Sequence, residues 1–142
     1  MVALRQRGGR TLAFVTKHEA DGIYYANTMV DKAARLHADK ASHWDALHAR
    51  FEAYRINHSV AYSMDGVCTN QVESYFSRLR RMVAGQHHHV SPQYLHQYAN
   101  QAAWLEDHRR ETNGALASRA LGLALAHPIS RQWKGYWQRA AR

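Results

Sequence analysis

Very little in this 142-residue chain can cross-link it, stiffen it or carry negative charge: it has one cysteine, two prolines and 11 acidic residues. A lone Cys68 excludes an internal disulfide and a cysteine-rich zinc site, and without a recognisable activating partner it is not read as a nucleophile. No apolar run approaches the roughly 18–20 residues that cross a bilayer, so no membrane partner is expected. The opening MVALRQRGGR lacks the apolar core of an export signal, and the expectation is a soluble, cytoplasmic protein. No internal repeat, low-complexity tract or linker stands out. The remainder is ordinary: 46% apolar and 21% charged residues, at a length that suits one domain with a modest core.

The charge is one-sided. Lysine and arginine number 19, giving a net +8 before any of the 11 histidines is protonated, and the isoelectric point is near 10.0. Such an excess attracts phosphate backbones through counterion release, and the attraction fades steeply with salt. Charge alone does not separate a nucleic-acid binder from any other basic protein.

Hydrophobic periodicity predicts the elements. VALRQR at 2–7 and TLAFVTK at 11–17 alternate around Gly8-Gly9, the pattern of a β-hairpin. Ile23, Ala26, Val30 and Ala33 predict a helix over 19–33, and RLHAD at 35–39 a short strand. Ser42 followed by Asp45 resembles a capping box opening a helix with Trp44, Leu47, His48 and Phe51 on one face. YRINH at 54–58 predicts another strand, and 59–68 a loop. Val72, Tyr75, Phe76, Leu79, Met82 and Val83 then mark one face of a helix of about four turns, with Gly85 placed to end it. Pro92 suits the first turn of the next helix, striped by Leu95, Tyr98, Ala99 and Ala102. An Ala/Leu-rich helix over 115–126 ends before Pro128. This order implies an α/β fold, a mixed sheet with flanking helices.

Two acids are placed for chemistry. Asp39 ends a predicted strand, the edge where ligands gather in open α/β sheets. Glu73 lies in the first turn of the helix opening at Asn70, with Ser77, Arg80 and Arg81 on its side. The 34 residues between the acids hold a helix, a strand and a loop, enough to bring the carboxylates together. Paired carboxylates suit Mg²⁺ or Mn²⁺, and two such ions serve phosphoryl transfer. Equally, Glu73 fits a capping-box partner for Asn70, and Asp39 a plain turn residue. Arg78, Arg80 and Arg81 form either a phosphate-binding face or a solvated one. His87, His88 and His89 cannot all reach one ion from a regular element, which leaves a loop near a phosphate or simple exposure. Trp133, Tyr136 and Trp137, among Arg131, Lys134 and Arg139, suit base stacking or the anchoring of a terminal helix.

The segment CTNQVESYFSRLRRMVAGQHHHVSP at 68–92 resembles the catalytic domain of bacterial insertion-sequence transposases of the acidic-triad (DDE) type. The likeness is to the small-element group marked by TN-x-x-ES, a basic pair and HHVSP, here Thr69-Asn70, Glu73-Ser74, Arg80-Arg81 and His88 to Pro92. RGGR (7–10), HADKASHWDALH (37–48) and INHS (56–59) add weaker matches, so that the resemblance covers most of 1–112.

The resemblance implies an RNase H-like domain over 1–112, with 113–142 as a helical basic-aromatic tail. It further implies Mg²⁺- or Mn²⁺-dependent cutting and joining of DNA, with transposon ends and target as partners, homo-oligomeric assembly and association with the nucleoid. Asp39 matches the family's second catalytic aspartate and Glu73 its third acid; Asn70 stays a possible triad member. Arg80 matches the basic position after the third acid, and Arg78, Arg81, His88 and His89 are candidate DNA contacts. Two departures stand out: Cys68 where histidine is frequent, and Lys40 beside the aspartate where an acidic or small residue is common. The family's first aspartate lies on a strand before the opening hairpin, a position that neither Asp21 nor Asp31 matches. The sequence therefore leads us to expect a fold lacking its first strand, a truncated enzyme with little or no activity alone, or a non-catalytic DNA-binding remnant or regulator.

Overall fold

The computed structural model describes residues 1–56 and 69–129. Contacts divide the chain into two compact units, Met1–Asp107 and His108–Arg142.

The first unit opens with the expected hairpin. Strands β1 (Val2–Arg5) and β2 (Thr11–Phe14) pair antiparallel from Val2 opposite Phe14 to Arg5 opposite Thr11. Gly8 makes the turn at φ +67°, backbone that costs a side-chain-bearing residue but not glycine. Alternation along the strands gives the hairpin two apolar faces. Val2 and Leu4 meet Ala26, Trp44, Leu47 and Phe51 in one cluster. Met1, Ala3 and Ala13 pack against a second, built on Tyr75, Leu79, Ala99, Ala102 and Ala103.

The helix expected over 19–33 is shorter, a 3-10 turn at Glu19–Asp21 followed by α1 (Gly22–Met29). Gly22 lies where a Cβ would come within 2.6 Å of the Trp44 ring and 2.9 Å of Val2, so glycine lets helix, hairpin and indole close up. Strands β3 (Arg35–Asp39) and β4 (Glu52–Ile56) pair in parallel, with Asp39 opposite Ile56. Residues 57 and 58 of the predicted YRINH strand, the 59–68 loop with Cys68, and the aromatic run at 133–137 fall outside the described residues.

The crossover between β3 and β4 differs from expectation. Ser42–Ala49 is a 3-10 helix that starts from Ala41, without a side-chain cap. Asp45 is drawn instead to Arg55 on β4, 3.0 Å away, a long-range pairing that replaces the local box. Trp44, Leu47 and Phe51 are buried as the stripe predicts, whereas His48 is exposed. The expected mixed sheet is, among the described residues, two separate two-stranded sheets, one antiparallel and one parallel. The β1–β2 ladder is local, whereas joining it to β3 needs edge-to-edge pairing that no local pattern specifies.

Helix α2 (Asn70–Met82) starts one residue earlier than the capping argument implies. Thr69 is its N-cap, its carbonyl accepting from Val72 and Glu73, so Asn70 is already helical. Gly85 does not end the helix: the chain continues as a π-helical turn, Val83–His87, and the left-handed residue is His88 at φ +57°. A π turn absorbs an extra residue without a glycine stop. Pro92 opens a 3-10 turn (Pro92–Tyr94) leading into α3 (Leu95–Asp107).

The end of α3 is tied to the hairpin. Asp107 accepts from the Thr11 N–H (3.0 Å), the Thr11 hydroxyl (2.7 Å) and the Arg5 guanidinium. Arg5 also lies 3.9 Å from the buried Glu106 carboxylate.

The second unit contains α4 (Asn113–Ala126), capped by the Thr112 hydroxyl accepting from Ala115 N–H at 3.3 Å, with Arg119 paired to Glu111 at 3.1 Å. No residue of α4 is buried. Among the described residues, no helix is long and apolar enough to cross a membrane.

Candidate functional site

The site begins with what anchors α2. Tyr75 is fully buried and donates its hydroxyl to the Ala99 carbonyl at 3.0 Å, and Leu79 packs one turn on. Burial pushes the Tyr75 phenol up to about 12, because a phenolate there would lose its water. With Tyr75 and Leu79 turned inward, helical geometry turns the polar residues outward. Asn70, Glu73, Ser74, Ser77, Arg78 and Arg81 line one open cleft of about 440 Å³.

Within it, Thr69 donates to Glu73 Oε1 at 2.8 Å, orienting the carboxylate in the first helical turn, where the backbone dipole favours negative charge. Arg80 and Arg81 occupy the last turn, where the dipole favours cations. Arg81 lines the cleft; Arg80 is exposed and does not. Arg78 Nε lies 3.0 Å from Glu106 Oε2 on α3, which fixes the guanidinium from behind.

Asp39 stands at the carboxyl end of β3, half-buried, its Oδ1 accepting from the Ala41 N–H at 3.0 Å. Arg55 on β4 braces the same turn, donating to the Lys40 and Ala41 carbonyls at 3.3 and 3.4 Å. Asp39 is not among the residues lining the α2 cleft. Two residues before it, burial and then the Arg7 and Arg35 cations hold the His37 imidazole below its usual range. His88 and His89 are exposed; His87 is the member of the triplet that packs, its ring 4.6 Å from that of Tyr98.

Asp39 and Glu73 offer hard oxygen donors. Among the described residues, no group of three or more histidines, cysteines or acids is arranged to hold a metal. That donor set does not suit zinc, which takes four protein ligands in structural sites. Each carboxylate is of the hard-oxygen kind that Mg²⁺ takes together with waters and substrate phosphates, and Asp39 lies outside the cleft that Glu73 lines.

Sequence reasoning missed Glu106 as the support behind Arg78. The signal was there: Glu106 falls three and four residues after Ala103 and Ala102, an acid on an otherwise apolar stripe.

An acid beside two arginines on one helix face also describes many surfaces, and comparison with known families bears on the domain as a whole. The ISXO2-like transposase domain matches residues 1–107. The chain belongs to the ISXO2-like transposase family. No curated protein matches it, and no solved structure does. The transposase match ends at the same residue, Asp107, as the first compact unit. The Arg5–Thr11–Asp107 tie joins the hairpin to the last residue of the matched region. Membership makes DNA the partner in general terms, and the basic face of α2 is chemically suited to it.

Proposed function

We propose that this chain carries the catalytic domain of a DDE-type DNA transposase of the small-element group, with an RNase H-like arrangement. The reaction is hydrolysis of a phosphodiester at the transposon end, followed by attack of the freed 3′-hydroxyl on target DNA, in a homo-oligomer assembled on DNA. Asp39 and Glu73 hold Mg²⁺ or Mn²⁺, with Asn70 beside Glu73 as a further oxygen donor. When bound, such ions activate the attacking oxygen and offset charge on the leaving one. The protein's own part is positioning. The Ala41 N–H and Thr69 hydroxyl fix the two carboxylates, while Arg78, Arg80 and Arg81 hold phosphates, with His88 and His89 beyond them.

The observation that carries this reading is the meeting of Glu73 with Arg78 and Arg81 in one cleft of a transposase-family domain. A polypeptide limited to these 142 residues is expected to bind DNA without cutting it, since neither Asp21 nor Asp31 stands where the family's first aspartate would. DNA binding by the purified chain should weaken steeply with salt, and Arg81→Ala should lower the salt slope by about one. Absence of salt-dependent binding would overturn the reading. Nicking of supercoiled DNA with Mn²⁺, abolished by Asp39→Ala, would overturn only the expectation of inactivity. A second reading, a non-catalytic DNA-binding regulator, is favoured by the position of Asp39 outside the α2 cleft. It predicts DNA affinity that neither Mg²⁺ nor Glu73→Gln changes.

A further inference from the structure

A second cleft adjoins the first. It lies between α2 and α3, encloses about 370 Å³, and shares Arg78 and Arg81 with the Glu73 cleft. Its remaining lining differs in character: Met82 and Leu105 are apolar, with Leu105 44% exposed, and Gln86 brings the one uncharged amide. Gln86 sits on the π-helical turn Val83–His87, a kind of helix irregularity that recurs at functional sites.

We propose that this second cleft receives a single unpaired nucleobase from the DNA strand whose phosphate Arg78 and Arg81 hold. The inference rests on the transposase reading above and extends it to what the neighbouring surface recognises. The two shared guanidiniums set the chemistry, because a group held on their one side as phosphate continues on the other as sugar and base. Glu106 does not oppose that anion. Its side chain is 2% exposed and lies 3.0 Å from Arg78 Nε and 3.9 Å from Arg5, so its charge is met from within the protein. The Arg78 side chain remains 43% exposed beside that contact, and an arginine is a side chain on which bases stack. Met82 and Leu105 provide an apolar surface for a base plane, and the Gln86 amide both donates and accepts, as a base edge requires. The volume falls at the small end of ligand sites, which suits one base rather than a peptide side. A paired base cannot enter, since its face is stacked and its edge is engaged.

Fluorescence anisotropy with three labelled DNAs tests this: a short duplex, the same duplex with one bulged nucleotide, and the same bulge made abasic. The full chain should bind the bulged duplex about tenfold more tightly than the other two. Gln86→Ala and Leu105→Ser should each remove most of that advantage and leave affinity for the paired duplex within about twofold, neither residue being a phosphate contact. Arg81→Ala should weaken all three DNAs together. Equal affinity for bulged and abasic duplexes, or an advantage that survives both cleft variants, overturns the base site while salt-dependent duplex binding keeps the transposase reading. Failure to bind any of the three overturns both. A change of oligomeric state in Leu105→Ser without loss of the bulge advantage would also overturn the proposal, marking the cleft as a protein interface.

Discussion

Asp107→Leu should be among the most damaging single substitutions in the first unit. The Asp107 carboxylate meets both Arg5 and Thr11, and the Arg5 side chain is 9% exposed. Removing the acid leaves the Arg5 guanidinium with the Thr11 hydroxyl and with Glu106 at 3.9 Å as its acceptors, and deprives the Thr11 N–H and hydroxyl of theirs. Breaking a buried ion pair from one side costs about 3–5 kcal/mol. Against a total stability of about 5–15 kcal/mol, that is about a fifth or more. The midpoint of thermal unfolding should fall by roughly 10 °C or more. Urea unfolding followed by tryptophan fluorescence and circular dichroism measures it. The double variant Arg5→Met/Asp107→Leu separates charge from packing, because exchanging both ions for apolar groups of similar size is often neutral. It should recover most of the loss. A single variant within about 1 kcal/mol of the parent would refute the reasoning, as would a double variant no better than the single.

Two further outcomes follow from the core. The Tyr75 phenol titrates near 12 in the folded chain against 10.0 ordinarily, so the native state binds the extra proton between those values. Its contribution to stability is complete below pH 10 and is lost as pH rises through 12; Tyr75→Phe should flatten that decline in denaturation midpoints, and cost about 1 kcal/mol at neutral pH for the lost bond to Ala99. Gly22→Ala should destabilise by about 1–3 kcal/mol, because the added methyl meets the Trp44 ring and Val2 inside the core; a neutral effect in urea unfolding would show that helix α1 shifts freely.

The local features of the fold were readable. Alternation around Gly8-Gly9, the RLHAD run and the Val72-to-Val83 stripe correspond to the hairpin, β3 and the inward face of α2. What escaped depends on distant partners. Asp45 leaves its local cap for Arg55, which comes alongside only once β4 pairs with β3. Gly85 has the residue type of a helix stop, but the chain widens into a π turn with His87 against Tyr98, and the left-handed turn falls on His88. At the site, the sequence placed Ser77, Arg80 and Arg81 on the side of Glu73; Ser77 and Arg81 do line its cleft, whereas Arg80 does not and Arg78 takes its place. The burial of Glu106 was hinted at by its place on the Ala102–Ala103 stripe, but its partner Arg78 was not, since that pairing exists only once α2 packs on α3.

The central claim is that Asp39 and Glu73 serve one divalent ion beside DNA. Mn²⁺ titrated into the isotopically labelled chain, with backbone amide signals followed by magnetic resonance, tests it directly, since paramagnetic broadening falls off steeply with distance from the ion. Amides around residues 39–41 and 69–74 should broaden together at the same Mn²⁺ concentration, recover with excess Mg²⁺, and stay sharp in Asp39→Asn/Glu73→Gln. Broadening confined to one of the two segments, or unchanged in the double variant, would contradict it.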